Sequence, residues 1–195
     1  GIKLESIDGE AGGVVGRMTI SKASTDGVYM DDVYVDGNVE TEGGVNVGGV
    51  AGSIQNSLSS KAILKNIISD AYAVGDDYIG GFAGRLKKVE VDTAIIYGGA
   101  ESENYDKAPY VGGVAGYVEG TYDIKAFIET VLIESSNKDN TGVVYGGTAN
   151  TALNSKAIAV ADDFWEYDDI NTHHVGAYED LYGFNGFYRF HDNHQ

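Results

Sequence analysis

Acidic side chains are the most abundant chemistry-bearing groups in this sequence, and several come as adjacent pairs: Asp31-Asp32, Asp76-Asp77, Asp162-Asp163 and Asp168-Asp169. Clustered carboxylates on one face are what a glycoside hydrolase uses, and a polysaccharide lyase adds a basic proton acceptor. The basic partner is scarce, since arginine occurs only at Arg17, Arg85 and Arg189. Polar residues recur at the place of Asp31-Asp32 in later segments, as Lys65-Asn66, Asp92-Thr93 and Glu129-Thr130. Such a series reads as a solvated outward corner rather than a catalytic dyad. Asp32 and Asp36-Gly37-Asn38 only partly imitate a calcium loop, so no cofactor is expected beyond, at most, a structural calcium. His173, His174, His191 and His194 lie in the last 23 residues. Zinc needs three or four ligands in fixed geometry; cysteine is absent and so is a His-Glu-x-x-His motif, so no metal site is expected. No serine stands in a nucleophile-elbow context, and the expected list of catalytic residues is empty.

Aromatic residues concentrate after Val160, where the only Trp stands. Trp165, Tyr167, Tyr182 and Tyr188 are the candidate ligand-binding residues, as faces on which a sugar stacks. The competing and favoured reading is structural: the aromatics cover the open end of a repeat stack.

The charge balance narrows the partners. Thirteen Lys plus Arg against 30 Asp plus Glu give a net charge of −17. That leaves no basic patch to release counterions from nucleic acid and opposes docking on anionic membranes. No run of eighteen apolar residues marks a membrane helix. The expected partners are a host protein or glycan, or neighbouring domains of the same polypeptide, with no nucleic acid and no membrane insertion. The chain opens Gly1-Ile2-Lys3 without Met, which reads as a piece of a longer protein.

The elements that must position these groups repeat. Gly12-Gly13-Val14-Val15-Gly16 recurs as Gly48-Gly49-Val50-Ala51-Gly52, Gly80-Gly81-Phe82-Ala83-Gly84 and Gly112-Gly113-Val114-Ala115-Gly116. Gly146-Gly147-Thr148-Ala149-Asn150 reads as a degenerate fifth copy, so the first glycines are 36, 32, 32 and 34 residues apart. Between motifs lie two short apolar strands split by the polar pairs. A unit of this size cannot bury its own apolar face, but stacked units can. The spacing predicts an all-β parallel β-helix, a solenoid of about five coils over residues 1–160, with an aromatic-rich cap over 161–195. The glycines are expected at an inner corner, where they permit positive φ, with Val14, Val50, Phe82, Val114 and Thr148 stacked inward. A phosphate loop needs a following helix, which no copy shows. Three polar insertions, at 41–44, 101–109 and 135–142, precede glycine motifs and are expected along one edge.

Val47-Gly48-Gly49-Val50-Ala51-Gly52-Ser53-Ile54-Gln55-Asn56-Ser57 resembles the GLUG-type repeats of bacterial surface proteins. Those carry a Gly-Gly-Leu-Val-Gly-like core followed by an Ile/Val-x-Asn-Ser/Cys strand. The resemblance covers roughly residues 10 to 160, with Val or Phe in place of the usual Leu. Such repeats occur in adhesin-like proteins and in the non-catalytic region of streptococcal zinc peptidases that cleave immunoglobulin A. The resemblance implies a right-handed β-helix in a large protein attached to the cell surface or wall. The expected function is a non-enzymatic extracellular scaffold or adhesin-like module, with a carbohydrate-binding module or a polysaccharide-active enzyme as alternatives.

Overall fold

β-Branched residues fill the segments between the glycine motifs and favour extended backbone. In the computed structural model these segments are strands, and each strand pairs in parallel with its counterpart one repeat away. The structure describes residues 2–3, 9–41, 43–102, 104, 108–120, 123–128, 133–135, 140–142, 144–149 and 154–159. The result is a parallel β-solenoid with three sheets wrapped around one core.

The first sheet stacks Ile2–Lys3, Val28–Glu40, Ile63–Gly75, Glu90–Ile96, Asp123–Ile128 and Asn154–Ala159 in that order. Ala100–Ser102 and Ile133–Glu134 extend it beside the far half of Ile63–Gly75. The second sheet is made of short strands: Glu10–Gly12, Asn46–Gly48, Tyr78–Gly80, Tyr110–Gly112 and Thr141–Gly142. The third stacks Val15–Ile20, Ala51–Asn56, Ala83–Lys87, Ala115–Glu119 and Tyr145–Thr148. Five glycine corners enclose about four full turns, so the motifs mark corners rather than five complete coils.

Two expected short strands per unit are one continuous strand in the first three coils, because the polar pair bulges instead of turning. Asp32, Asn66 and Thr93 take positive φ of 54°, 53° and 89°, and the extra residue leaves the flanking pairing intact on both sides. The fourth coil lacks this residue: the register shifts between Asp92 and Ala94, and Lys125, rather than Glu129-Thr130, pairs with Asp92.

The core is a set of stacked columns. Leu64, Val91 and Ile124 follow one another in register and are fully buried. Val50, Phe82, Val114 and Val144 form another buried column at the corner, linked by Val50 N–H to Phe82 O at 2.9 Å, Phe82 N–H to Val114 O at 3.0 Å and Val114 N–H to Val144 O at 2.9 Å. Val14 heads this column and is 54% exposed. The fifth copy therefore differs from the sequence expectation. Gly142 pairs with Gly112, Val144 takes the inward place given to Thr148, and Tyr145 pairs with Ala115. Gly146 thus matches Gly116, and Gly147 pairs with Tyr117. The first glycines at 12, 48, 80, 112 and 142 are spaced 36, 32, 32 and 30 residues apart.

The corner glycines serve close approach, not unusual φ. Positive-φ glycines among the described residues are Gly27, Gly37, Gly43 and Gly120, none of them in a motif. At Gly84 a Cβ would lie 2.5 Å from Val47 N, 2.6 Å from Tyr78 O and 2.7 Å from Gly52 O. All three are backbone atoms of neighbouring strands, so no side chain can yield.

The described residues of the polar insertions bond from coil to coil, and the described part of the first is largely buried. Asp76 N–H donates to Gly44 O, Asn104 Nδ2 to Asp76 Oδ2 at 3.0 Å and Asn140 Nδ2 to Ala108 O at 3.2 Å, rung upon rung. Thr41 is buried, and Gly44 leaves room for its hydroxyl.

Gly84→Ala is expected to cost about 3 kcal/mol or more, because overlap with backbone cannot relax cheaply. Gly27→Ala meets only Lys61 O at 3.7 Å and costs about 1–2 kcal/mol of left-handed backbone strain. Urea denaturation of both variants checks the order.

Candidate functional site

The second and third sheets meet at the glycine corner, and their outward residues line a cleft of about 200 Å³ bounded by Glu10, Arg17, Asn46, Ser53, Arg85 and Lys87. Parallel, in-register stacking makes its walls. One column runs Glu10, Asn46, Tyr78, Tyr110. The next runs Arg17, Ser53, Arg85, Tyr117, Gly147. A third runs Thr19, Gln55, Lys87, Glu119.

At one end, Glu10 is the acceptor for four donors. Arg17 donates from Nε to Oε2 at 2.6 Å and from a terminal nitrogen to Oε1 at 2.9 Å. Asn46 Nδ2 donates to Oε1 at 2.7 Å and Ser53 Oγ to Oε2 at 2.9 Å. Burial alone would raise the Glu10 carboxyl, but the hydrogen bonds from Arg17, Ser53 and Asn46 and the guanidinium charge hold it below the usual carboxylate range. In the middle, Arg85 donates to Glu119 Oε2 at 3.1 Å, while Lys87 Nζ lies 2.7 Å from Glu119 Oε1. The Lys87 hydrogen bond, aided by Arg85 and opposed by partial burial, lowers the Glu119 carboxyl as well.

Beyond the cleft lining the same columns turn aromatic. Tyr78 stacks on Tyr110 with centroids 5.4 Å apart and planes 11° from parallel, and Tyr117 meets both edge-on at 5.6 and 5.3 Å. Arg85 sits over the Tyr78 and Tyr117 rings at 5.7 and 5.5 Å, within cation–π range. At Gly147 a Cβ would come within 2.4 Å of the Tyr110 ring, so the missing side chain gives that ring its place.

Two polar atoms here have no hydrogen-bond partner among the described residues: Asn46 Oδ1 and Arg85 Nε. Both are buried atoms, and Asn46 as a residue is only 7% exposed.

The two acidic pairs within the described residues do not converge. Asp31 takes Lys65 at 3.2 Å and Asn66 at 2.8 Å on the outer face of the first sheet. Asp76-Asp77 lies past the other end of the strand that carries Lys65, on the order of 30 Å away at extended rise. Among the described residues no three of His, Cys, Asp or Glu gather to hold a metal ion. Trp165, Tyr167, Tyr182 and Tyr188 lie outside the described residues, as do all four histidines, Asp162-Asp163, Asp168-Asp169 and the rest of the 161–195 segment.

Sequence reasoning passed over the cleft. Its signal was positional: Glu10, Asn46, Tyr78 and Tyr110 stand two residues before a first motif glycine, and Arg17, Ser53, Arg85 and Tyr117 five after it.

Fold and cleft together define a parallel β-solenoid with a polar and aromatic groove on its flank. Compared with family models, curated proteins and solved structures, the chain matches none.

Glu10→Gln is expected to lower stability by about 1–2 kcal/mol at pH 7 through weakened charge-assisted bonds. Because the folded-state pKa of Glu10 is depressed, its contribution is present above the ordinary carboxylate range and is lost as pH falls through the folded value. The gap between native and variant in urea melts is therefore expected to narrow between pH 7 and pH 3.

Proposed function

We propose that this chain is a non-enzymatic scaffold and interaction module of a bacterial cell-surface protein. The coil stack acts as a stiff spacer, and the outward columns act as the contact surface. The observation that carries this reading is the state of the cleft carboxylates. Glu10 and Glu119 are both tied to cations and both held below the usual carboxylate range. General acid–base catalysis works best with a group whose pKa lies near the operating pH. Two carboxylates tied to cations serve recognition and rigidity better than proton transfer.

The extracellular setting rests on the resemblance of residues 47–57 to GLUG-type repeats, and on an acidic, cysteine-free composition that suits an exposed surface stalk. Host proteins, glycans or neighbouring domains of the same polypeptide are the partners this setting offers. The tyrosine trio favours the carbohydrate-binding reading among the alternatives, because aromatic faces stack on sugars.

Incubation with anionic and neutral polysaccharides, with and without calcium, separates scaffold from enzyme. New reducing ends and unsaturated products are expected to stay at the level of a heat-denatured control. Turnover above that level overturns the scaffold reading.

A further inference from the structure

We propose that the cleft between the second and third sheets is a binding site for a carboxylated saccharide, recognised by Arg85 and Asn46 and flanked by Tyr78 and Tyr117. The proposal deepens the interaction-module reading and rests on it for treating the cleft as a place of binding rather than turnover.

Three features converge. The first is charge. The chain carries −17 overall, yet this cleft and its immediate contacts hold Arg17, Arg85 and Lys87 against Glu10 and Glu119. Arg17 is matched by its bidentate carboxylate, whereas Arg85 and Lys87 share one. One positive charge is left over in the middle of the groove, which selects for an anion.

The second feature is the pair of unmatched polar atoms. The Asn46 amide is oriented by its Nδ2 donating to Glu10 Oε1, so its free atom is the acceptor Oδ1. Arg85 uses a terminal nitrogen for Glu119 and retains Nε–H as a free donor. Leaving such groups buried and unpaired is unfavourable. Both atoms are closed to solvent in this conformation, so a ligand reaches them only as the two side chains turn toward the cleft, and one that satisfies both must bring an acceptor and a donor together. A simple inorganic anion answers Arg85 only. A sugar acid brings a carboxylate oxygen for Arg85 and a hydroxyl for Asn46.

The third feature is shape. About 200 Å³ falls below the several hundred Å³ of pockets for drug-sized ligands, which suits a single sugar ring of a longer chain. Beside the cleft lining, the rings of Tyr78 and Tyr117 lie against the same guanidinium and hold it in place for the ligand.

The test is isothermal titration calorimetry of the whole chain with trigalacturonate and, in parallel, the neutral trisaccharide maltotriose. Saturable binding of trigalacturonate is expected, at least tenfold tighter than maltotriose and weakened by added salt. Arg85→Lys keeps the charge opposite Glu119 and removes the Nε–H donor, so it is expected to weaken binding at least tenfold. Tyr117→Leu is expected to weaken it several-fold, with far-UV circular dichroism and thermal melting reporting whether each variant is folded. Equal affinity for the two trisaccharides, or unchanged affinity in folded Arg85→Lys, overturns the proposal. Absence of trigalacturonate binding overturns it too while leaving the scaffold reading standing. Binding accompanied by cleavage of the trisaccharide supports the site and overturns the scaffold reading instead.

Discussion

Two strands can come only as close as their first side-chain atoms permit, and this coil folds as tightly as it does because that atom is missing at fixed places on successive rungs. At Gly48 a Cβ would sit 2.2 Å from Ala51 O and 2.5 Å from Ala83 Cα, and at Gly84 it would meet Val47 N and Tyr78 O. These are backbone contacts within a corner and between neighbouring corners, not contacts with the core. Without them the second and third sheets would splay. The buried column of Val50, Phe82, Val114 and Val144 would then lose its enclosure, and with it burial worth about 1.5–3 kcal/mol per side chain. Hydrophobic burial supplies the stability, but the glycines decide that it takes the form of a narrow coil.

Once the corner is fixed, parallel pairing puts each outward residue directly over its counterpart one turn away. That geometry punishes like charges, which would stand about 4.8 Å apart. The bulged column of the first sheet answers by alternating: Asp31, Lys65, Asp92, Lys125, with ion-pair distances of 3.2 and 2.7 Å. Pairs as exposed as these contribute little to stability. Alternation therefore matters mainly for avoiding repulsion and for holding register. Tyrosines are free of that restriction and stack, as Tyr78 does on Tyr110. The cleft is a product of the same rule. Glu10 meets Asn46 and Ser53 because they are one rung away in two adjacent columns.

The repeat was legible because its four clear copies share Gly-Gly and a closing glycine, a pattern that survives without knowledge of pairing. The fifth copy was not. In Gly142 through Gly146 the second glycine is replaced by valine and the alanine by tyrosine, and a Gly-Gly pair stands four residues on at Gly146-Gly147. Backbone hydrogen bonds from Gly113, Val114 and Ala115 identify the true corner. The role of the glycines was only half legible, since composition cannot separate a need for positive φ from a need for close approach. The polar pairs suggested a corner, but a left-handed residue such as Asn66 within a continuous strand makes a bulge instead. The cleft stayed hidden because its side chains come from residues 10 to 119 and meet only through register. The sequence concentrates its aromatics after Val160, whereas the tyrosines that the structure brings together are single residues in separate repeats.

The central claim is the register that the glycine corners impose, and disulfide trapping tests it most directly. The chain has no cysteine of its own, so an introduced pair reports one contact. Gln55 and Lys87 are paired on neighbouring rungs, at a Cα separation of about 4.8 Å that falls inside the range a disulfide spans. Gln55 and Arg85 are offset by two residues, which places them about 8 Å apart and beyond that range. Under mild oxidation, Gln55→Cys with Lys87→Cys is predicted to close nearly completely, and Gln55→Cys with Arg85→Cys to remain largely reduced, as read by peptide mass spectrometry. Closure of the offset pair in preference to the aligned one, or closure of neither, would contradict the account.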